Sequence, residues 1–129
     1  MAEGDLRVQL FGRRDSRPTQ QAQRFFSERR IPLTFVDLAV RPMAPTELRR
    51  FVDRLGARAL ADVEGRTWGE LGLAYLKLDD GELAGRLVAD QRLLRLPLCR
   101  VGTAFSVGLD EPTWRSWLAR AKAPAAARG

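Results

Sequence analysis

The sequence contains no histidine and a single cysteine, Cys99. An intramolecular disulfide and a Cys-X-X-Cys redox pair are therefore both impossible. Without imidazole, neither a Ser-His nor a Cys-His catalytic pair can be assembled. A zinc site would have to be built from carboxylates and one thiolate, outside the usual donor set. Lysine is nearly absent too: Lys77 and Lys122 are the only two among 22 basic residues. No apolar run approaches the ~18 residues that span a bilayer, so no membrane partner is expected. The start, Met1-Ala2-Glu3-Gly4-Asp5, lacks the basic and apolar stretches of a signal peptide, which makes the cytoplasm the expected location.

What is present suits a single globular core. The chain has 129 residues, 45% of them hydrophobic, room for one domain over residues 1–122. Residues 123–129, Ala-Pro-Ala-Ala-Ala-Arg-Gly, offer nothing to bury and read as a flexible tail. The net charge of +6 comes almost entirely from arginine. Arginine suits bidentate anion contacts and raises a nucleic-acid reading. Acidic residues are interspersed throughout, however, which favours ordinary solvated surface.

Hydrophobic periodicity gives the order of elements. Leu6 to Gly12 alternates as a first strand, with Val8 and Leu10 on one face. A polar turn, Arg13-Arg14-Asp15-Ser16-Arg17, leads to Pro18 in the first turn of a helix carrying Ala22, Phe25 and Phe26 inward. That helix ends near Arg29-Arg30, where cations face its negative end. Leu33 to Leu38 forms a second strand, and the strand–helix–strand unit predicts parallel pairing. Pro45 opens an amphipathic helix with Leu48, Phe51, Val52 and Leu55 at i, i+3, i+4 and i+7, stopped by Gly56. Residues 57–96 read as mostly helical. Trp68, Leu71, Tyr75 and Leu76 mark one short helix; Leu83, Leu87, Val88 and Leu94 mark another. Leu98–Val101 and Ala104–Val107 flank Gly102-Thr103 as a hairpin. Asp110 caps a last helix that turns Trp114, Trp117, Leu118 and Ala121 inward. The three tryptophans sit at helical spacings with leucines and read as core. Gly65 and Gly72 serve turn geometry.

Several segments together resemble the arsenate reductase (ArsC)/Spx family. Leu10-Phe11-Gly12-Arg13-Arg14-Asp15-Ser16-Arg17-Pro18-Thr19 matches the family's strand, reactive loop and helix start without a gap. Glu64-Gly65-Arg66-Thr67-Trp68 is similar to its Arg-Gly-Thr-Thr-Trp segment, and Leu93-Leu94-Arg95-Leu96-Pro97-Leu98 to its Leu-Ile-Lys-Arg-Pro-Ile segment. The resemblance spans roughly Arg7 to Arg120. It implies an α/β, thioredoxin-like (glutaredoxin-like) fold: a four-stranded mixed sheet, helices on both faces and an inserted helical region. It also implies a proline, Pro97, whose peptide bond is usually cis and which faces the reactive loop.

The departures concern the chemistry. The family's reactive cysteine falls on Ser16, the second position of its Cys-X-X-Cys form on Thr19, and the arginine before its proline on Leu96. Ser16 is either a helix-capping hydroxyl or, with Arg13, Arg14 and Arg17, part of an anion or thiol-ligand contact at a helix start. Pro97 serves either a surviving groove or fold integrity, and Cys99 reads as a buried strand residue. The resemblance thus implies a catalytically degenerate member, with Ser16, Thr19 and Pro97 as a vestigial site, no metal and no cofactor. Such a protein is expected to act by protein binding, as the Spx type does when it contacts the C-terminal domain of the RNA polymerase alpha subunit. Arg49, Arg50 and Arg54, on the outer face of the Pro45 helix, are candidate partner contacts. The alternative is a glutathione-dependent reductase or transferase that uses Ser16 as a polar anchor.

Overall fold

A computed structural model describes residues 6–122; the expected tail at 123–129 lies outside the described residues. Strand β1 (Val8–Gly12) is followed by helix α1 (Arg17–Glu28) and strand β2 (Leu33–Asp37). Four helices come next: α2 (Pro45–Leu55), α3 (Ala57–Leu60), α4 (Arg66–Glu70) and α5 (Asp80–Ala89), with single 3-10 turns at Leu73–Tyr75 and Gln91–Leu93. Strands β3 (Leu98–Val101) and β4 (Ala104–Val107) then form a hairpin before α6 (Glu111–Lys122).

The sheet order is β2-β1-β3-β4. β1 runs parallel to β2, with Leu10 opposite Phe35, and antiparallel to β3, with Leu10 opposite Cys99. The period-2 pattern of β1 divides the interior into two cores. Val8 and Leu10 pack with Phe25, Phe26, Cys99, Trp114 and Trp117 beneath α1 and α6. Phe11, from the other face, packs with Leu48, Phe51, Leu60, Leu83 and Leu98 beneath the helical block. The mixed sheet with helices on both faces is therefore as the resemblance implied. Trp68, Trp114 and Trp117 are buried in these cores. No helix among the described residues is long and apolar enough to cross a membrane.

Local chemistry sets the ends of the elements. α1 closes in a Schellman arrangement: Arg30 N–H donates to Ser27 O at 3.0 Å and Ile31 N–H to Phe26 O at 3.0 Å. The left-handed residue this requires is Arg30, at φ +57°. Arg29 Nη1 donates to the Phe25 carbonyl in the last turn of α1 at 2.9 Å, as the basic helix end suggested. α5 starts on a capping box between Asp79 and Glu82. Asp110 accepts from Thr113 N–H at the start of α6.

The structure corrects two expectations in the helical block. Trp68, Leu71, Tyr75 and Leu76 do not share one helix face. α4 ends at Glu70, and Gly72 takes a left-handed φ of +64°, which resets the helical phase. Leu71, Tyr75 and Leu76 are left 48%, 91% and 45% exposed, while Leu73 fills the core instead. Leu94 likewise lies beyond α5, in extended chain that bridges Ala61, and is buried there.

Candidate functional site

The site begins where β1 hands over to α1. Ser16 has the extended backbone of an N-cap (φ −86°, ψ 120°), and its Oγ accepts from Thr19 N–H at 3.2 Å. Pro18 follows in the first turn, where its missing N–H costs no bond. Thr19 is fully buried beneath the loop, and its Oγ1 accepts from Arg13 N–H at 3.4 Å. Gly12 makes this packing possible: a Cβ there would stand 2.6 Å from Thr19 Cγ2, a distance that packed atoms do not tolerate. Ser16 N–H donates to Arg13 O at 3.1 Å, closing the loop as a turn.

The second wall comes from the segment before β3. The Leu96–Pro97 peptide is cis, and Pro97 O accepts from Gly108 N–H at 2.9 Å. Gly108 sits at φ +72°, and a Cβ on it would lie 2.9 Å from Arg95 Nε. The glycine therefore serves both the turn and the seat of that guanidinium. Between the walls lies a cleft of about 460 Å³, lined by Arg13, Ser16, Pro18, Asp62, Arg92, Leu94, Arg95, Leu96, Gly108 and Leu109.

Three guanidiniums and one carboxylate thus border the cleft. Arg92 is fixed by a two-pronged contact with Asp90, Nε to Oδ1 at 2.9 Å and Nη2 to Oδ2 at 2.6 Å. The hydrogen bonds from Arg92 hold the Asp90 carboxyl below its usual range, against the opposing effect of burial. Arg13 leans towards Asp15 at 3.6 Å. Arg13 and Arg92 also line an adjoining hollow, whose loop is held by a paired amide contact between Gln91 and the Met43 backbone, 2.8 and 2.7 Å.

The residues singled out from sequence divide accordingly. Ser16 and Arg13 meet at the cleft beside Leu96, with Thr19 packed underneath and the cis Pro97 behind. Arg14 turns the other way, to Asp37 Oδ2 at 3.3 Å and over the Phe35 ring at 5.3 Å. Arg17 is exposed and is not among the residues lining the cleft. Arg50 and Arg54 line a separate groove between α2 and the hairpin; Arg49 is exposed and does not. Sequence reasoning missed Asp62, Arg92 and Arg95 at the cleft. Arg95 had a signal, since it lies in the segment that carries Pro97.

Cys99 belongs to a different environment. It is completely buried between the sheet and the α1/α6 layer, and burial pushes its thiol up to about 12, against a weaker lowering by a hydrogen bond with Ser106. Ser106 Oγ also accepts from Trp114 Nε1 at 2.9 Å, tying the hairpin to α6.

The ArsC family profile matches residues 14–117, most of the chain. The chain belongs to the ArsC family. Solved structures of the same fold include a YffB protein, at 19% identity and a TM-score of 0.79 over 86% of this chain and 98% of that one. An ArsC family related protein from Bacteroides fragilis matches at 17% identity and 0.78, over 87% and 98%. An arsenate reductase from Vibrio cholerae matches at 16% and 0.70, over 85% and 94%. At these identities the likeness shows the thioredoxin-like fold. Among curated proteins none matches this ArsC-family chain.

Proposed function

We propose that this ArsC-family protein works by binding a protein partner and performs no thiol redox chemistry of its own. One observation carries the reading. At the helix start where the family's reactive cysteine falls, Ser16 presents a hydroxyl already engaged as the cap of α1. A helix N-terminus and nearby cations bring a cysteine pKa from ~8.5 down to ~3.5–7.5. The same help leaves a hydroxyl un-ionised at neutral pH. The chain has no histidine to act as its base. Serine cannot enter thiol–disulfide exchange, and Cys99, buried and hard to ionise, cannot stand in for it. Leu96 adds an aliphatic side chain where the family places an arginine.

Within the family, Spx-type regulation supplies the partner to test first, the C-terminal domain of the RNA polymerase alpha subunit. The direct test of the redox-silent reading is an arsenate reduction assay with glutathione/glutaredoxin or thioredoxin as donor. The expected result is no turnover above a protein-free control. Turnover that disappears in Ser16→Ala would overturn the reading.

A second reading rests on the cleft. Its size falls within the range of small-molecule sites, and Ser16, Arg13, Arg92 and Arg95 would suit the thiol and carboxylates of glutathione. Calorimetry with S-methylglutathione and glutathione separates the two: a ligand anchored through Ser16 must bind less tightly to Ser16→Ala.

A further inference from the structure

The groove between α2 and the hairpin, a hollow of about 300 Å³ on the side of edge strand β4, has a construction of its own. Its floor is the half-buried Phe105. That ring meets Phe51 edge-on at 4.8 Å, and Phe51 in turn meets Phe11 at 5.9 Å, so the ring is locked to the core. Arg54 and Arg100 lie over the Phe105 ring at 5.7 and 5.5 Å. Arg100 is held in place by Glu47 Oε2 at 2.6 Å and by the Gly102 carbonyl at 2.8 Å. Glu47 gives its other oxygen to Arg50 at 3.7 Å. Arg54 forms no ion pair among the described residues.

We propose that this groove receives an acidic, extended segment of a protein partner, with carboxylates on Arg54 and Arg50 and an apolar side chain on Phe105. The inference rests on the reading that the protein acts by binding, and it names the surface and the chemistry of the partner. The ring and Arg100 are fixed before any partner arrives, so little ordering cost falls on binding. Arginine and aromatic side chains are the groups that dominate interface energetics. Asp53 also lines the groove. It would repel an unbroken polyanion such as a nucleic-acid backbone, whereas a peptide can set a neutral residue beside it.

The probe is a fluorescein-labelled Glu-Asp-Phe-Glu-Glu-Leu peptide, set against the same peptide with lysine at every acidic position and against a labelled DNA duplex. Anisotropy and NMR shifts of arginine Nε–H and phenylalanine ring C–H groups are read on the full chain. The acidic peptide should bind, shift Arg50, Arg54, Arg100 and Phe105, and weaken as salt rises. Arg54→Glu should lower its affinity about tenfold or more, mainly through slower association, while Arg13→Glu at the cleft leaves it unchanged. Arg54→Gln, which removes charge without adding any, should fall between wild type and Arg54→Glu. Three outcomes overturn the proposal: no binding, shifts confined to Arg92 and Arg95, or duplex DNA bound in place of the peptide. The parent reading fails separately, through Ser16-dependent arsenate turnover, whatever the peptide does.

Discussion

Replacing Ser16 with cysteine tests whether the helix start still has the electrostatics that a reactive thiol needs. The new Sγ would sit at the N-cap of α1, where Oγ now accepts from Thr19 N–H at 3.2 Å, beside a cleft bordered by Arg13, Arg92 and Arg95. An ordinary thiol of pKa ~8.5 is about 3% ionised at pH 7, whereas one lowered to ~7 is about half ionised. Thiolate nucleophilicity falls with pKa at a Brønsted slope of ~0.45, which returns roughly fivefold of that ~15-fold gain. The net rate advantage at pH 7 is then only about threefold, so the diagnostic quantity is the titration midpoint. The assay follows reaction with an aromatic disulfide between pH 5 and 10. Wild type provides the blank, because Cys99 is fully buried and should react only on unfolding. A midpoint at or above ~8.5 in Ser16→Cys would refute the argument that the helix end and its guanidiniums retain their field. Arsenate turnover should stay low in this variant, since Leu96 offers nothing to an oxyanion.

Gly12→Ala should destabilise by about 1–3 kcal/mol through its clash with Thr19, and Thr19→Ala in the same chain should recover part of that loss; additive effects in chemical denaturation would mean the two residues do not touch. Arg30→Gly should raise stability by roughly 1 kcal/mol, because glycine adopts the left-handed C′ position without Cβ strain, and a lower midpoint would contradict the Schellman assignment. Cys99 gives a pH dependence. Its folded pKa, about 12, stands above the unfolded value near 9.0. The folded state therefore holds the proton more tightly, and the associated stability is complete below pH 9 and lost as pH rises towards 12. By pH 10 the loss is on the order of 1 kcal/mol. Cys99→Ala should lack this loss, and parallel stability curves for the two proteins between pH 8 and 10 would count against it.

The β–α–β start, the Pro45 helix, the hairpin and the last helix were legible because each combines one clear period with its own punctuation: Pro18, Gly56, Gly102 and Asp110. The block from 57 to 96 was not. α3 is a single turn, too short to show a period. In the next stretch one left-handed glycine, Gly72, breaks what reads as a continuous apolar series. At the cleft, Ser16 was legible as a cap because serine stands just before a helix with proline in its first turn. The convergence of Arg92, Arg95 and Asp62 on it was not, since the fold brings them there through the Ala61–Leu94 bridge and the turn after β4. The same holds for the pair of Arg100 and Glu47, 53 positions apart. Long-range charge pairing leaves no periodic trace in a sequence.

The chemistry at position 16 and the shape of the cleft depend on different atoms. The loop under Ser16 is set by Gly12 against Thr19 and by the Ser16 N–H to Arg13 O turn. The opposite wall is set by Gly108 under Arg95, and the flank by Arg92 on Asp90 and by Gln91 on Met43. None of these contacts uses the Ser16 side chain beyond its Thr19 cap, and a cysteine could supply that cap weakly. An exchange between sulfur and oxygen at this one position can therefore switch thiol reactivity on or off while the cleft keeps its form. On the proposed reading, the side chain at the helix start and the residue before Pro97, Ser16 and Leu96 here, separate this chain from a thiol reductase, while the fold and the cleft do not.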